Sequence, residues 1–363
     1  MIEENLEDLL ELEEVEQLNK RIKKKVNQTI FKKVFISLLF FFGCGLGIYG
    51  VIEYQEKQEQ LALENYEKAQ NYYNAFDKPH TGYGYLFSTL METSIEMRFP
   101  GISCFDGDYS INSPKKYTYI YRTHLQKISK DKVIGVGPSN LEITIGRSKR
   151  IGIVDEDDLL TDHYHLFKSP NQTADEYNYF PTISNDDIQE IIELPDSCVL
   201  DVAISFNQQK TTSEIISLIH QYPKSLFTWL AVDSSQRNPT LTDGINIYQN
   251  SVSDYELDLT EQYPHLYFDP NEISKETIEH CYKSQCQFLL DNPDFLNIEG
   301  NFFTKDQIQH KLNQANQMIQ ETGELQFIGI YGTIKKADLL DIIQHENIIY
   351  GDILDIKLSI LQK

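Results

Sequence analysis

Residues 34–52 read VFISLLFFFGCGLGIYGVI, and none of these side chains carries a charge. An α-helix rises about 1.5 Å per residue, so the stretch spans about 28 Å, close to the roughly 30 Å hydrocarbon core of a bilayer. A helix buried in a soluble protein rarely runs this far without a polar face. The stretch therefore predicts one transmembrane helix that is surrounded by the lipid bilayer.

The charges on either side of this stretch predict its direction. Basic side chains precede it, whereas Glu53 and Glu56 follow it. The basic residues are Lys20, Arg21, Lys23, Lys24, Lys25, Lys32 and Lys33. By the positive-inside rule, residues 1–33 lie in the cytoplasm. We therefore expect a single-pass protein of the cell membrane with an extracytoplasmic C-terminal region.

Two other interpretations of the apolar stretch are disfavoured. A cleaved signal peptide has a shorter apolar core, whereas this run continues to Ile52 and follows a long N-terminal segment. A lipoprotein signal would use Cys44, but Phe41 and Phe42 do not suit the positions before the modified cysteine.

Gly43 and Gly47 form a G-x-x-x-G pair within the stretch. This spacing lets two membrane helices approach closely, so the pair predicts helix packing in the membrane and permits a homodimer.

The cytoplasmic arm, residues 1–33, contains no Gly or Pro and is predicted to be helical. On a helical wheel its apolar residues form two stripes on opposite sides. One stripe contains Ile2, Leu6, Leu9 and Leu10, and the other contains Val15, Leu18, Ile22 and Val26. Such a helix either breaks near residues 11–14, is covered by a partner, or is a charged tail that ends in a basic stop signal. If a partner binds, the candidate contacts are Leu6, Leu9, Leu10, Val15, Leu18 and Ile22, and the acidic front half favours a basic partner.

The net charge of −23 lies almost entirely beyond residue 33, because the arm holds nearly equal numbers of acidic and basic side chains. A surface this acidic repels phosphates, so we expect no direct nucleic acid binding. The excess charge is interpreted as a source of solubility. With 40% hydrophobic residues, the chain can bury a sizeable core.

Beyond the membrane stretch, the pattern predicts three regions. Residues 53–79 form a helical stalk, rich in Gln and Glu and ended by Lys78-Pro79. Residues 80–190 contain short alternating runs and form a β-rich domain. Residues 191–363 mix strands with helices. The expected fold is thus an α+β (or α/β) extracytoplasmic region, attached to one transmembrane helix.

Individual elements of residues 191–363 follow from periodicity. The predicted strands are 199–206, 225–232, 325–331 and 353–360. The predicted helices are 212–222, 274–290, 305–322 and 335–345. Thr304 and Gln307 form a capping box at the start of the third of these helices.

The four cysteines outside the apolar stretch are Cys104, Cys198, Cys281 and Cys286. They permit disulfides, but Cys281 and Cys286 lie about 140° apart on a predicted helix and should not pair with each other. Buried free thiols are the alternative.

Sequence motifs for catalysis are absent, since no G-x-S-x-G, H-E-x-x-H or phosphate-loop pattern occurs in the chain. Asp162, His163 and His165 are weak metal candidates, because a strand would place both imidazoles on one face without a clear third histidine or cysteine. The acidic run 155–158 lacks the spacing of a calcium loop. We therefore expect no enzyme activity, no cofactor and no metal.

Four segments, in their order along the chain, resemble those of a known protein family. Residues 193–196 (ELPD), 199–206 (VLDVAISF), 227–230 (FTWL) and 329–333 (GIYGT) resemble the C-terminal module of the bacterial sigma factor regulator family. The basic run before a single membrane helix, followed by residues 91–100, resembles the N-terminal module of that family. The resemblance covers roughly residues 25–363.

The resemblance implies a transmembrane anti-sigma factor of a Gram-positive bacterium. The arm would hold an extracytoplasmic-function sigma factor at the membrane, and the outer region would sense the cell envelope or bind a second membrane or envelope protein. This sequence departs from the family in its short arm, which also lacks the His and Cys of the zinc-binding class. The alternative is an extracytoplasmic binding or assembly protein without sigma-factor contact.

Overall fold

The structure is a computed structural model. It describes residues 2–73, 86–105, 119–129, 132–145, 149–154, 166–167, 169–170, 184–233, 243–248 and 257–358. The chain forms two compact units, Met1–Leu61 and Ala62–Lys363.

Helix α1 (Ile2–Tyr73) is continuous, so the alternative of a break near residues 11–14 is not observed. Its helical backbone covers the arm, the apolar stretch and most of the predicted stalk. Apolar side chains are exposed along it, including Phe31 (71% exposed), Ile36 (64%) and Phe40 (69%). Among the described residues, no helix combines the length and apolarity needed to cross a membrane. The side chains of residues 41–46 lie outside those described.

The remaining described elements belong to the second unit. Its helices are α2 (Leu86–Arg98), α3 (Asn185–Glu193), α4 (Thr212–Gln221), α5 (Leu257–Gln262), α6 (Lys275–Leu290), α7 (Pro293–Leu296), α8 (Lys305–Thr322) and α9 (Lys336–His345). Its strands are β1 (Ile102–Phe105), β2 (Tyr119–Ser129), β3 (Lys132–Ile145), β4 (Lys149–Val154), β5 (Cys198–Thr211), β6 (Leu226–Val232), β7 (Asp243–Asn246), β8 (Gln326–Lys335) and β9 (Ile348–Leu358).

Strands β1 to β4 form an antiparallel sheet in which each strand pairs with the next along the chain. The sheet lies within the region predicted to be β-rich. Helix α2 precedes it and was not predicted. Between Thr89 and Arg98, only Glu92 is not buried, so the helix lacks the polar face that would have revealed its period.

Strands β5 to β9 form a five-stranded sheet in the order β7-β6-β8-β5-β9, and every neighbouring pair is antiparallel. The fold is therefore α+β, and the alternative of an α/β fold is wrong for the described sheet. Strands β5 and β6 both run antiparallel to β8, so they run parallel to each other and α4 joins them. In the same way α9 joins β8 and β9 around β5. These two strand–helix–strand segments are interleaved in the sheet, which is the connectivity of a split βαβ, ferredoxin-like sheet.

The main core lies between one face of this sheet and the helices. Leu200, Val202, Ile204 and Phe206 alternate along β5 and are all buried in one cluster, as the strand period requires. Helices α4, α6, α8 and α9 complete the cluster through Ile215, Ile278, Ile308 and Leu339. Each such side chain contributes about 1.5–3 kcal/mol by burial.

The opposite face of the sheet has a smaller aromatic cluster. Phe167 stacks on Trp229 with ring centroids 5.3 Å apart, and Tyr331 packs in the same cluster. Trp229 Nε1 donates a hydrogen bond of 2.6 Å to the carbonyl oxygen of Glu96 on α2. Both faces of the sheet are therefore covered, although they are covered by different parts of the second unit.

Candidate functional site: a groove between α3 and β9

Strand β9 forms one edge of the five-stranded sheet. It pairs with β5 from Cys198↔Leu358 to Phe206↔Ile348, and no strand among the described residues pairs with its outer side. A groove of about 620 Å³ opens between this edge and α3. Its walls are formed by Asp187, Glu190, Ile191, Leu194, Gly351, Asp352, Ile353, Leu354, Asp355 and Ile356.

The groove combines an apolar floor with acidic side chains. Asp187 and Glu190 come from α3, and Asp352 and Asp355 come from β9. The two β9 residues pair with Ala203 and Asp201, so their side chains lie on the sheet face opposite to the main core. Among the described residues that line it, none has a basic side chain. Between the carboxylates lie aliphatic side chains, of which Ile356 is 49% exposed. The arrangement favours a ligand that is apolar in part and positively charged.

The N-terminus of α3 is fixed by a capping box. The Ser184 hydroxyl accepts a hydrogen bond of 3.1 Å from the Asp187 backbone N–H, and the Ser184 backbone N–H donates one of 2.6 Å to the Asp187 carboxylate. The hydrogen bond from the Ser184 backbone N–H lowers the pKa of Asp187, and the Ser184 side chain lowers it further. Asp187 is therefore a fixed negative charge at neutral pH.

The C-terminus of α3 is fixed by Lys336, the first residue of α9. Its ammonium group donates hydrogen bonds to the carbonyl oxygens of Ile192 (2.9 Å) and Leu194, and to the Asp196 carboxylate (3.1 Å). A cation at this position satisfies carbonyl groups that the helix leaves free and favours the helix dipole. One wall of the groove is thus attached to the sheet through α9.

The other wall is held through Asp201, which is 1% exposed in the middle of β5. Lys127 of β2 and Lys357 of β9 each place an ammonium group 2.8 Å from its carboxylate, and the Thr333 hydroxyl donates at 2.6 Å. Burial opposes ionisation, but these partners outweigh it, so the pKa of Asp201 is lowered. The cluster connects β9 to the sheet interior and connects the two sheets to each other.

Lys357 also bridges to the groove itself. Its ammonium group lies 3.3 Å from the carboxylate of Asp355 and 2.8 Å from that of Asp201. Burial disfavours the charged amine, but the two carboxylates raise the pKa of Lys357. It therefore remains charged and neutralises part of the Asp355 charge.

The residues predicted as sites lie elsewhere. Leu6, Leu9, Leu10, Val15, Leu18 and Ile22 are on the helical backbone of α1, and their side chains lie outside those described. A Cβ at Gly47 would meet no atom within 4 Å, and the side-chain surroundings of Gly43 lie outside those described. The metal candidates Asp162, His163 and His165, with the acidic run 155–158, are outside the described residues. Among the residues that are described, no group of three or more His, Cys, Asp or Glu could hold a metal ion.

The thiols of Cys198, Cys281 and Cys286 are buried and form no disulfide, whereas the side chains of Cys44 and Cys104 lie outside those described. Burial raises the pKa of Cys281 and of Cys286, which favours the protonated thiol in both. Near Cys286, the buried Asp243 carboxylate accepts hydrogen bonds from Tyr282 and Lys311. This closed cluster serves to hold α6, α8 and β7 together.

The groove was not predicted from the sequence. Its walls come from residues 187–194 and 351–356, which are far apart in the chain, and neither segment has a recognisable motif. The only available signal was the pairing of acidic with aliphatic residues in both segments.

Comparisons with known proteins give no match: no family model, no curated protein and no solved structure is similar to this chain.

The glycines of the segment 329–333 have clear packing roles. A Cβ at Gly329 would collide with the Phe167 ring and the Ile204 carbonyl oxygen, and one at Gly332 with the backbone of Leu226. These glycines allow β8 to pack closely on its neighbours.

Proposed function

We propose that this protein is a membrane-anchored regulator whose cytoplasmic arm holds an extracytoplasmic-function sigma factor, and whose outer region responds to the cell envelope. The observation that carries the proposal is the unbroken helix α1, Ile2–Tyr73, which joins the arm, the uncharged stretch and the stalk. A continuous helix of this kind can connect a binding event outside a membrane to one inside.

The proposed membrane anchor is residues 34–52. Its support is the absence of charge over the whole stretch, the basic residues before it and the exposed aromatic and aliphatic side chains of α1. Exposed side chains such as Phe35 (53% exposed) and Ile48 (62%) are unfavourable in water and favourable in lipid. The N-terminus is then cytoplasmic and the second compact unit extracytoplasmic.

The proposed sigma-factor contact uses both apolar stripes of the arm. Because α1 has no break, both stripes belong to one helix, and a partner that covers only one would leave the other in water. A groove formed by two lobes of a partner would cover both. The resemblance to sigma factor regulators supports a sigma factor as this partner. Three of the resembling segments, 199–206, 227–230 and 329–333, lie in β5, β6 and β8 of the split βαβ sheet.

The proposal is tested by capture from membranes. Full-length protein should co-purify a cytoplasmic sigma factor, and changing Leu6, Leu9, Leu18 and Ile22 to Asp should reduce that capture at least about tenfold, because buried charges disfavour the interface. The measurement is quantitative mass spectrometry of the eluate.

A matched control places new charge on the arm without removing apolar side chains. The four substitutions Asn5→Asp, Gln17→Asp, Asn19→Asp and Asn27→Asp add the same charge and should leave capture close to that of the wild type. If the wild-type protein retains no sigma factor in mild detergent, the proposed contact does not exist.

The groove favours a second candidate, an extracytoplasmic binding protein that makes no sigma-factor contact. It is a built site with an acidic rim and an apolar floor, and it lies in the unit that would be outside the membrane. Under this candidate, deletion of residues 2–19 leaves the cellular phenotype unchanged, whereas changes in the groove abolish it.

A further inference from the structure

We propose that the groove between α3 and β9 binds an extended, basic segment of a partner protein, which adds as a new strand to the outer edge of β9. This inference rests on the outer region being the ligand-binding part of the protein, and it holds for either candidate function above.

The geometry of the edge supports strand addition. The groove runs along residues 351–356 of β9, whose outer side is paired with no strand among the described residues. Six extended residues cover about 20 Å, so a short peptide could fill the groove along its length. Backbone N–H and C=O groups at a sheet edge are available to pair with such a peptide.

The negative charge along the β9 edge favours a basic segment as the ligand. Asp352 and Asp355 lie on β9, and Asp187 and Glu190 face the same groove from α3. A second copy of this chain, docked through its own β9, would place carboxylates beside carboxylates and would be repelled. A segment with lysines or arginines places opposite charges together, and the strongly acidic protein as a whole attracts it.

The floor of the groove defines the pattern of the ligand. Ile191 is 1% exposed and belongs to the main core, so the floor is a rigid apolar surface rather than a loop. A strand presents alternate side chains on opposite faces, so a bound segment that alternates aliphatic and basic residues can contact the floor with one set and the carboxylates of Asp352 and Asp355 with the other.

The test uses a fluorescein-labelled peptide of about eight residues, roughly one strand in length, with alternating valine and lysine and with blocked ends. Fluorescence anisotropy is measured on the full-length protein in a non-ionic detergent, against empty micelles. Saturable binding is expected. The double variant Glu190→Lys with Asp352→Lys should weaken it at least about tenfold, since both changes turn attraction into repulsion.

The matched pair is Glu193→Lys and the single variant Glu190→Lys. Both reverse one charge on an exposed residue of α3, and only Glu190 lines the groove. The control is Glu193→Lys. It should retain binding within about twofold of the wild type, allowing for the general loss of negative charge. Equal weakening by the control and by the groove variant would show binding to overall charge and would overturn the proposal.

Strand addition is tested separately from charge. In an extended peptide, the N–H groups of alternate residues point to opposite edges, so N-methylation of one set blocks pairing with β9 and N-methylation of the other set does not. We expect one N-methylated peptide to lose binding and the other to keep it. If both bind, or if the unmethylated peptide shows no saturable binding, the groove is not a strand-addition site. Neither result affects sigma-factor capture, which is measured with the arm variants.

Discussion

At the level of single residues, the second unit depends on a carboxylate that the sequence pattern does not reveal. Asp201 lies in the alternating strand 199–206, on the face opposite to Leu200 and Val202. Its ion pairs reach Lys127 and Lys357, on strands of two different sheets. A carboxylate this deeply buried is stable only while it is paired, so its loss leaves two lysines without their main partner.

Replacing Asp201 with Asn should destabilise the fold by about 2–4 kcal/mol, somewhat less than for a fully buried pair because Lys357 is 30% exposed. The control Asp355→Asn removes an exposed partner of Lys357 and should cost less than about 1 kcal/mol. The midpoint of urea unfolding is measured by fluorescence of Trp229, the only tryptophan in the chain. Equal midpoints for wild type and Asp201→Asn would mean that the cluster contributes nothing.

The same variant predicts a pH dependence. Folding lowers the pKa of Asp201. The contribution of this carboxylate to the stability of the fold is therefore complete above its unfolded pKa of about 3.9, and it is lost as the pH falls through its folded pKa. The stability difference between wild type and Asp201→Asn should therefore be largest at neutral pH and should narrow below about pH 4. The comparison is made from urea midpoints at about pH 7 and pH 3.

At the level of elements, helix α3 is held from both ends, and its far end depends on one side chain. The Lys336 ammonium group is bonded to two carbonyl oxygens at the end of α3 and to Asp196. The substitution Lys336→Met keeps an unbranched side chain of similar bulk but removes these bonds, which should cost about 1–3 kcal/mol. Hydrogen exchange should quicken in α3 and much less in α8.

The control for Lys336→Met is Lys305→Met, which removes an exposed lysine at the start of α8. It should change stability by no more than about 0.5 kcal/mol. Unchanged exchange in α3 of the Lys336→Met protein would show that the helix is held by its apolar face alone.

The elements also show how far the sequence predicts the fold. Helix α8 matches its predicted bounds and capping box, because the signals that end a helix are local. Strand β9 begins at Ile348 rather than at residue 353. Its pairing with β5 changes register twice, between Ile348 and Tyr350 and between Ile353 and Asp355, and each change interrupts the alternation of side chains. The groove and the Asp201 cluster depend on which distant segments meet, and no local pattern carries that information.

At the level of the whole molecule, the proposed anchor is confined to one part of the chain. The second compact unit begins at Ala62, after the uncharged stretch has ended. A chain that begins at Glu53 therefore lacks the stretch but keeps every described element of that unit, including the sheet around Trp229. It should fold by itself, because its core is built from its own sheet and helices.

This division predicts that membrane attachment and folding can be separated. After alkaline carbonate extraction, the full-length protein should stay in the membrane fraction, whereas the chain that begins at Glu53 should be in the supernatant with the same Trp229 fluorescence. Replacing both Leu39 and Ile48 with Lys should weaken attachment of the full chain, since a charged residue near the centre of a membrane helix costs about 2.5–3.5 kcal/mol. Replacing both with Phe is the matched control and should leave attachment intact. Release of the wild-type protein by carbonate would contradict the anchor.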